Sequence, residues 1–251
     1  MNWSSNYHNL LWVFLFMCAA SFALLPGSAE EAEQERMMKE AEAENRDYRL
    51  KHGRIDSKDS NGNVKSSVNY VNGKKEGVSY LYYPDGKVQL EMTYASNLRV
   101  GTSKKYYVTG ELYATTPFKN NVIEGERKTF YESGKLLASV PYHNSWPGTG
   151  LKEYLSSGKE RKLKLGIEVQ KEGSLWLLRT EEPCRKANFY LGSLVDGRFL
   201  NKNALVPLQT TNGAGILDLK KIGGEKNTSG LEVVCRCWTQ QNNPLILSKK
   251  L

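Results

Sequence analysis

The chain has 251 residues, a hydrophobic fraction of 39% and a formal net charge of +8. This length suffices for one or two folded units, and the modest hydrophobic fraction excludes a protein built mainly from membrane-spanning segments. No charged residue precedes Glu30, and residues 30–49 carry a net charge of −4, so residues 50–251 carry +12. The positive net charge of residues 50–251 favours anionic partners. The alternative is that this charge only keeps the protein soluble.

The N-terminal segment, residues 1–29, predicts a secretory signal peptide. An apolar run of 16 residues fills positions 10–25 and is followed by small residues and two glutamates. Gly27 and Ala29 would occupy positions −3 and −1 of a cleavage site after Ala29. An uncleaved membrane anchor is the alternative, although the run is short for a span. A lipoprotein anchored at Cys18 is disfavoured, because a small residue does not precede it. We therefore expect export to the periplasm or the cell surface.

Residues 30–52 predict a charged helical leader. The segment is rich in Ala, Glu, Lys and Arg, which are strong helix formers. Glu35 and Lys39, and likewise Glu42 and Arg46, form i,i+4 pairs in the favourable order. Because the segment has no broad apolar stripe, the interpretation is a solvated helix or a frayed linker.

Residues 53–166 repeat one pattern every 24 residues, the signature of a repeat architecture. Aromatic residues and a turn recur as YYPDGK at 82, YYVTGE at 106, FYESGK at 130 and YLSSGK at 154. Glycine recurs at positions 53, 77, 101 and 125. A second glycine column is predicted to supply positive φ at turns, and it comprises Gly62, Gly86, Gly110, Gly134 and Gly158.

Each 24-residue unit predicts one β-hairpin. The tripeptide PDG at 84–86 is typical of a type I turn that closes on a left-handed glycine. The second strand of the unit alternates, as in Val88, Leu90, Met92 and Tyr94, which indicates a half-buried strand. Because one hairpin cannot bury its apolar face alone, we expect five units to align as an elongated antiparallel β-meander of about ten strands.

Residues 167–251 lose the repeat and predict a small all-β domain. Strand-like runs such as SLWLLRT, ANFYLGSLV and LEVVCRCWT alternate with turn signals, including Asp196-Gly197. The expected fold is therefore all-β, with a short N-terminal helix, a β-meander of hairpin repeats and a sandwich-like C-terminal domain.

Removal of the signal peptide would leave three cysteines, Cys184, Cys235 and Cys237. In an oxidising compartment we expect one disulfide from Cys184 to either Cys235 or Cys237. A metal site of three thiolates is the alternative, and no metal or other cofactor is expected. The chain carries no P-loop, Rossmann or nucleophile-elbow motif, which favours a protein without catalytic activity.

Basic residues stand beside the aromatic residues in the first strand of successive units. Rows of such residues along a sheet could bind a repeating anionic polymer. The alternative is that the aromatic residues pack across strands and the lysines keep the sheet soluble. The candidate binding residues are Tyr82, Tyr83, Lys104, Lys105, Tyr106, Tyr107, Arg127, Lys128, Phe130 and Tyr131.

The repeat resembles the MORN-variant repeats of bacterial proteins, including the YwqK-type proteins that are often labelled as antitoxins. The resemblance covers about 53–166. It implies an elongated β-meander that contacts proteins, lipids or envelope material, and it supplies no catalytic residues. The stretches that carry it are GVSYLYYPDGK at 77–87, GTSKKYYVTGEL at 101–112 and GERKTFYESGKL at 125–136, followed by Tyr94, Phe118 and Tyr142.

The leading functional hypothesis is an exported, non-catalytic binding or scaffolding protein. Its expected partner is a protein, an anionic envelope polymer or lipid head groups, and nucleic acid is not expected. An uncleaved N-terminal segment would add a membrane contact. One alternative is an antitoxin or immunity protein that neutralises a single protein partner. Another is a hydrolase of envelope polymers, which would need a pair of carboxylates in a cleft between the repeats and the C-terminal domain.

Overall fold

A computed structural model describes residue 36, residues 51–200, residue 203, residues 205–224, residue 228 and residues 230–251. The predicted signal peptide lies outside these residues. So does the predicted leader, except for Arg36, which is helical, and its last two positions. In the described part of the chain, no helix combines the length and the apolar character that crossing a bilayer requires.

Thirteen strands of the described chain form one antiparallel sheet, here called the repeat sheet. Its strands are β1 (Gly53–Lys58), β2 (Val64–Val71), β3 (Lys74–Lys75), β4 (Gly77–Tyr82), β5 (Val88–Ala95), β6 (Leu98–Tyr106), β7 (Leu112–Lys119), β8 (Val122–Ile123), β9 (Gly125–Phe130), β10 (Leu136–His143), β11 (Trp146–Pro147), β12 (Lys152–Tyr154) and β13 (Glu160–Arg161).

Ten of these strands follow one another across the sheet in chain order, β1-β2-β4-β5-β6-β7-β9-β10-β12-β13. The predicted β-meander of hairpin repeats is therefore confirmed. Each hairpin closes as in the second unit, where the Gly86 amide donates to the Tyr83 carbonyl at 2.9 Å and the Tyr83 amide donates to Lys87 at 2.8 Å. The five turn glycines have φ between +79° and +108°, a range that glycine adopts without a Cβ clash.

The connections between units contain a second tight turn that the sequence interpretation missed. Two adjacent residues with positive φ form it, for example Asn120 at +51° and Asn121 at +69°. These are the angles of a type I′ turn, the preferred two-residue connection between twisted strands. The short strands β3, β8 and β11 follow three of these turns and pair back onto the preceding long strand. The four turns lie at 72–73, 96–97, 120–121 and 144–145.

The C-terminal region forms two four-stranded sheets. One sheet has the order β14-β15-β19-β18 and the other β17-β16-β20-β21. A 3₁₀ turn, Leu219–Ile222, follows β19. The strands are β14 (Ile167–Glu172), β15 (Leu175–Thr180), β16 (Arg185–Leu191), β17 (Val206–Pro207), β18 (Gln209–Thr211), β19 (Ala214–Asp218), β20 (Glu232–Trp238) and β21 (Pro244–Lys250).

These two sheets share one apolar core, which confirms the sandwich-like domain. Leu178 and Leu217 from the first sheet and Phe189 and Val233 from the second belong to the same buried cluster. The sheets approach closely at Gly215, where an added Cβ would lie 2.5 Å from the Phe189 ring. Only glycine fits at that contact without displacement of the aromatic ring.

The same core continues into the last repeats. Ala138 and Val140 on β10, together with Leu151, are buried in the cluster that fills the sandwich. The change from the repeat sheet to the sandwich falls between β13 and β14, and residues 162–166 form no strand. The repeat region therefore ends by packing directly against the sandwich.

A disulfide joins Cys184, just before β16, to Cys237 on β20. The two Cα atoms are 5.9 Å apart and the residues are separated by 53 positions. Cys235 is a buried free thiol, and burial raises its pKa to about 12. Two of the three thiols are thus joined to each other, so a site of three thiolates is not formed. No group of three or more His, Cys, Asp or Glu side chains in the described chain is arranged to hold a metal ion.

Candidate interaction surface

Strand register defines two faces of the repeat sheet. One cross-strand row carries Tyr80, Glu91, Lys104, Thr115, Lys128, Ser139 and Lys152, and its side is here called the front face. The neighbouring row points to the other side, the back face, because successive side chains on a strand alternate. That row carries Leu81, Leu90, Lys105, Ala114, Thr129, Ala138 and Glu153.

This alternation divides the predicted binding residues between the two faces. Lys104 and Lys128 lie on the front face, and Tyr82, Tyr106 and Phe130 follow on the same side two residues along each strand. Lys105 lies on the back face, where its ammonium group is 5.3 Å from the centroid of the Tyr113 ring. Arg127 also faces back, opposite the buried Val140. The predicted set therefore does not form one surface.

The second tyrosine of each aromatic pair connects neighbouring units. The hydroxyl groups of Tyr83, Tyr107 and Tyr131 donate to the carbonyls of Tyr106, Phe130 and Tyr154, each at 2.7 Å. Burial raises the pKa of Tyr107, so its phenol remains a donor. These three predicted binding residues thus stabilise the stacking of the repeats.

Basic residues that lie just before each of three successive units contact the aromatic residues at positions 70, 94 and 118, which recur with the 24-residue period. Lys51 lies 5.7 Å from the ring centroid of Tyr70, Lys75 lies 5.3 Å from that of Tyr94, and Arg99 lies 4.6 Å from that of Phe118. These cation–π pairs were not predicted from the sequence. Their sequence signal is a basic residue 19 positions before Tyr70, Tyr94 and Phe118, repeated with the period of 24.

A cluster of aromatic and charged side chains lies on the front face, near the middle of the sheet. The rings of Tyr80 and Tyr82 are 6.2 Å apart, and Lys104 donates to the Glu91 carboxylate at 3.1 Å. The Tyr106 hydroxyl lies 3.4 Å from the same carboxylate. Burial and then the negative charge of Glu91 raise the pKa of Tyr106. These five residues are here called the front tyrosine patch.

Apolar surface and a depression border this patch. Val78, two residues before Tyr80 on β4, is 41% exposed. A depression of about 450 Å³ includes Tyr82 in its lining, together with Arg54, Val64 and Pro84. The patch and its borders therefore present preformed aromatic and apolar contact area in a polar surround.

The hydrolase hypothesis requires a pair of carboxylates between the repeats and the C-terminal domain. Glu153 and Glu182 lie at this position, and both are buried. Arg161 donates to both Glu153, at 2.8 Å, and Glu182. The Glu153 side chain is fully buried, and it also accepts from Thr239 and from Asn243 at 2.8 Å. Every one of these contacts is internal, so the pair connects the two regions and offers no cleft to a substrate.

Comparison with protein-family models matches the MORN repeat variant at residues 75–96 and 123–144. The first match spans β4 and β5, and the second spans β9 and β10. These two hairpins match the MORN repeat variant, and the other units repeat their register. Such repeats generally serve binding to proteins or membranes. The YwqK-type subgroup stays a prediction, and no curated protein matches the chain.

Proposed function

We propose that this MORN-variant repeat protein is an exported, non-catalytic binding protein of the cell envelope, and that its front tyrosine patch binds a protein partner. The observation that carries the proposal is the patch itself, in which Glu91 holds the side chains of Lys104 and Tyr106 beside the Tyr80 and Tyr82 rings. Tyrosine is enriched at protein interfaces, because its ring gives contact area and its hydroxyl forms hydrogen bonds. Side chains that are already ordered lose less entropy on binding.

The charge pattern favours a protein over an anionic polymer at this face. Lys104 is 3.1 Å from the Glu91 carboxylate, and Lys128 is 4.0 Å from that of Glu126. Two lysines of the predicted basic row are thus balanced by carboxylates on the same face. Protein interfaces typically have an aromatic centre and a polar rim, and the front face has this arrangement. A polyanion would instead require a continuous excess of positive charge.

Export is supported by the N-terminal sequence and by the cysteines. Residues 1–29 have the apolar run and small-residue cleavage site of a signal peptide. The disulfide between Cys184 and Cys237 is of the kind that persists in oxidising compartments. Fractionation of native cells, with N-terminal sequencing of the protein recovered, tests this part, and a mature chain that begins at Glu30 is the expected result.

The binding proposal is tested by affinity capture of the tagged full chain from native cells, with washes at low and high salt. Tyr80→Ala/Tyr82→Ala removes the two contacting rings of the patch. Tyr113→Ala is the matched control, because it removes a tyrosine on the opposite face of the same sheet. Circular dichroism establishes that both variants remain folded.

The expected result is one protein that survives the high-salt wash with the wild type and with Tyr113→Ala, and that is lost with Tyr80→Ala/Tyr82→Ala. Recovery of anionic envelope material alone, removed by high salt, would contradict a protein partner. Equal capture by both variants would show that the front face is not the binding surface. If the captured partner is a toxin that the chain inhibits, this result would support the hypothesis of an immunity protein.

A further inference from the structure

A second candidate site lies on the sandwich, away from the front tyrosine patch. A pocket of about 280 Å³ is lined by Arg185 and Lys186 at the start of β16, by Trp238 at the end of β20 and by Asn242. Arg185 and Trp238 are directly opposite each other on paired strands. Arg185 donates to the Asn242 side-chain oxygen at 3.0 Å, which holds its guanidinium group in place.

The positive charges around this pocket are not balanced by carboxylates. The Arg236 guanidinium lies outside the pocket lining and stacks on the Trp238 ring, 4.7 Å from its centroid. Among the described residues, no carboxylate is within ion-pair distance of Arg185 or Lys186, the two basic residues that line the pocket.

The backbone is shaped to bring two of these cations together. The register of β16 against β20 shifts between Arg185 and Asn188, which marks a β-bulge. Lys186 lies in this bulge with φ of +53°, a conformation that is uncommon for a residue with a Cβ. Bulges redirect side chains at sheet edges and beside binding sites. Here the bulge allows consecutive residues, Arg185 and Lys186, to line the same pocket.

We infer that this pocket binds an oxyanion, phosphate or carboxylate, carried on a sugar ring. Arg185 and Lys186 supply the positive charge, the Asn242 amide supplies a neutral hydrogen-bonding group, and Trp238 supplies an aromatic surface for the ring. Arginine is suited to both anions because its planar fork matches their oxygens in a bidentate arrangement. Tryptophan contributes a large apolar face on which the C–H groups of a sugar can pack.

The inference is independent of the proposed function, because a small anionic sugar tests the pocket without any protein partner. The probes are glucose 6-phosphate, glucuronate, inorganic phosphate and glucose, titrated into the full-length chain by calorimetry. Both anionic sugars, or one of them, are expected to bind more tightly than inorganic phosphate, and glucose is expected not to bind. A preference for glucose 6-phosphate or for glucuronate identifies phosphate or carboxylate as the natural anion.

The test variant is Arg185→Ala/Lys186→Ala, with Lys171→Ala as the matched control. Lys171 also stacks on a tryptophan of the sandwich, Trp176, at 4.1 Å. Because the double variant removes two charged hydrogen-bonding groups from the pocket, it is expected to bind the anionic sugar at least about tenfold more weakly. The control is expected to retain the wild-type affinity, and so is Tyr80→Ala/Tyr82→Ala.

A measurement on the wild type covers the case in which the double variant fails to fold. In ¹H–¹⁵N spectra, the indole resonance of Trp238 is expected to shift on addition of the anionic sugar, while that of Trp176 stays in place. Absence of binding by both anionic sugars would overturn the inference. So would equal losses in the double variant and Lys171→Ala, or a shift at Trp176 without one at Trp238.

Discussion

The repeat sheet and the sandwich are both antiparallel β structures, but different interactions stabilise them. Of the buried hydrophobic residues in the described chain, only Ala114, Ala138, Val140 and Leu151 lie before the sandwich. Three of these four belong to the cluster shared with the sandwich. The earlier repeats therefore lack an apolar core of their own. They are stabilised by tyrosine hydrogen bonds, cation–π pairs and tight turns, each repeated from unit to unit.

Because the earlier repeats have no apolar core, the faces of their sheet are accessible to solvent and to partners. A sheet without a covering layer keeps both faces accessible, and its stability depends on contacts between neighbouring units. The sandwich provides the fixed end on which the last units pack. The front face of the earlier repeats is then available for binding, because its side chains are not required to form an apolar core.

The largest expected effect comes from breaking the link between the two regions. Glu153→Ala leaves the Thr239 and Asn243 donors without their buried carboxylate acceptor and leaves Arg161 with Glu182 as its one carboxylate partner among the described residues. Removal of one partner from a buried pair destabilises a protein by about 3–5 kcal/mol. Urea unfolding followed by circular dichroism measures this loss. Glu160→Ala is the control, because Glu160 is an exposed residue of the neighbouring strand β13, and a change within about 0.5 kcal/mol is expected there.

The next effect should be confined to the sandwich. Cys184→Ser/Cys237→Ser removes the disulfide, and loss of a native disulfide in a small domain typically lowers stability by about 2–5 kcal/mol. Amide hydrogen exchange is expected to accelerate in β16 and β20 while β4 to β7 keep their protection. Equal acceleration in β4 to β7 would show that the repeats have no stability apart from the sandwich.

A smaller effect is expected within the repeats themselves. Tyr107→Phe removes the hydroxyl that donates to the Phe130 carbonyl, and a hydrogen bond of this kind contributes about 1 kcal/mol. Hydrogen exchange should accelerate locally in β6, β7 and β9. Tyr113→Phe is the control, because its ring packs against Tyr107 but its hydroxyl forms no hydrogen bond among the described residues. Similar effects of both changes would refute the role of the hydroxyl ladder.

The smallest effect concerns the cation–π column. Lys75→Met removes the cation near the Tyr94 ring, and exposed pairs of this kind contribute about 0.5–1 kcal/mol. The neighbouring Lys74→Met serves as the control, because Lys74 is exposed and no aromatic ring in the described chain lies over it. Thermal unfolding at matched salt compares the two. A loss that is equal in both variants would assign the effect to surface charge alone.

The architecture of the repeats could be predicted from the sequence, because the residues that recur every 24 positions are those that the backbone of each hairpin requires. The turn glycines and the alternating second strands follow directly from positive φ and from a half-buried sheet. The type I′ turn at Asn72-Gly73 could also have been predicted, because Asn-Gly is the usual sequence of such a turn. The type I′ turns were not predicted, because the four pairs lie in polar connections and differ in sequence from unit to unit.

The surface was predicted less well, for a reason that strand geometry explains. Lys104 and Lys105 are adjacent in sequence, yet alternation places them on opposite faces. The carboxylates that balance the front lysines come from other strands, and no local spacing signals them. The choice of Cys237 over Cys235, and the contact of Glu153 with Asn243 across 90 positions, depend on tertiary packing that one sequence does not encode locally.

Photo-crosslinking in native cells tests the binding role of the front face most directly. A photoreactive phenylalanine analogue is placed at Val78, which is exposed beside the front tyrosine patch, or at Lys105 on the back face. Crosslinks from position 78 to one protein, with none from position 105, are the predicted result. Crosslinks from position 105 alone, or to the same protein from both positions, would contradict the assignment of the front face as the binding surface.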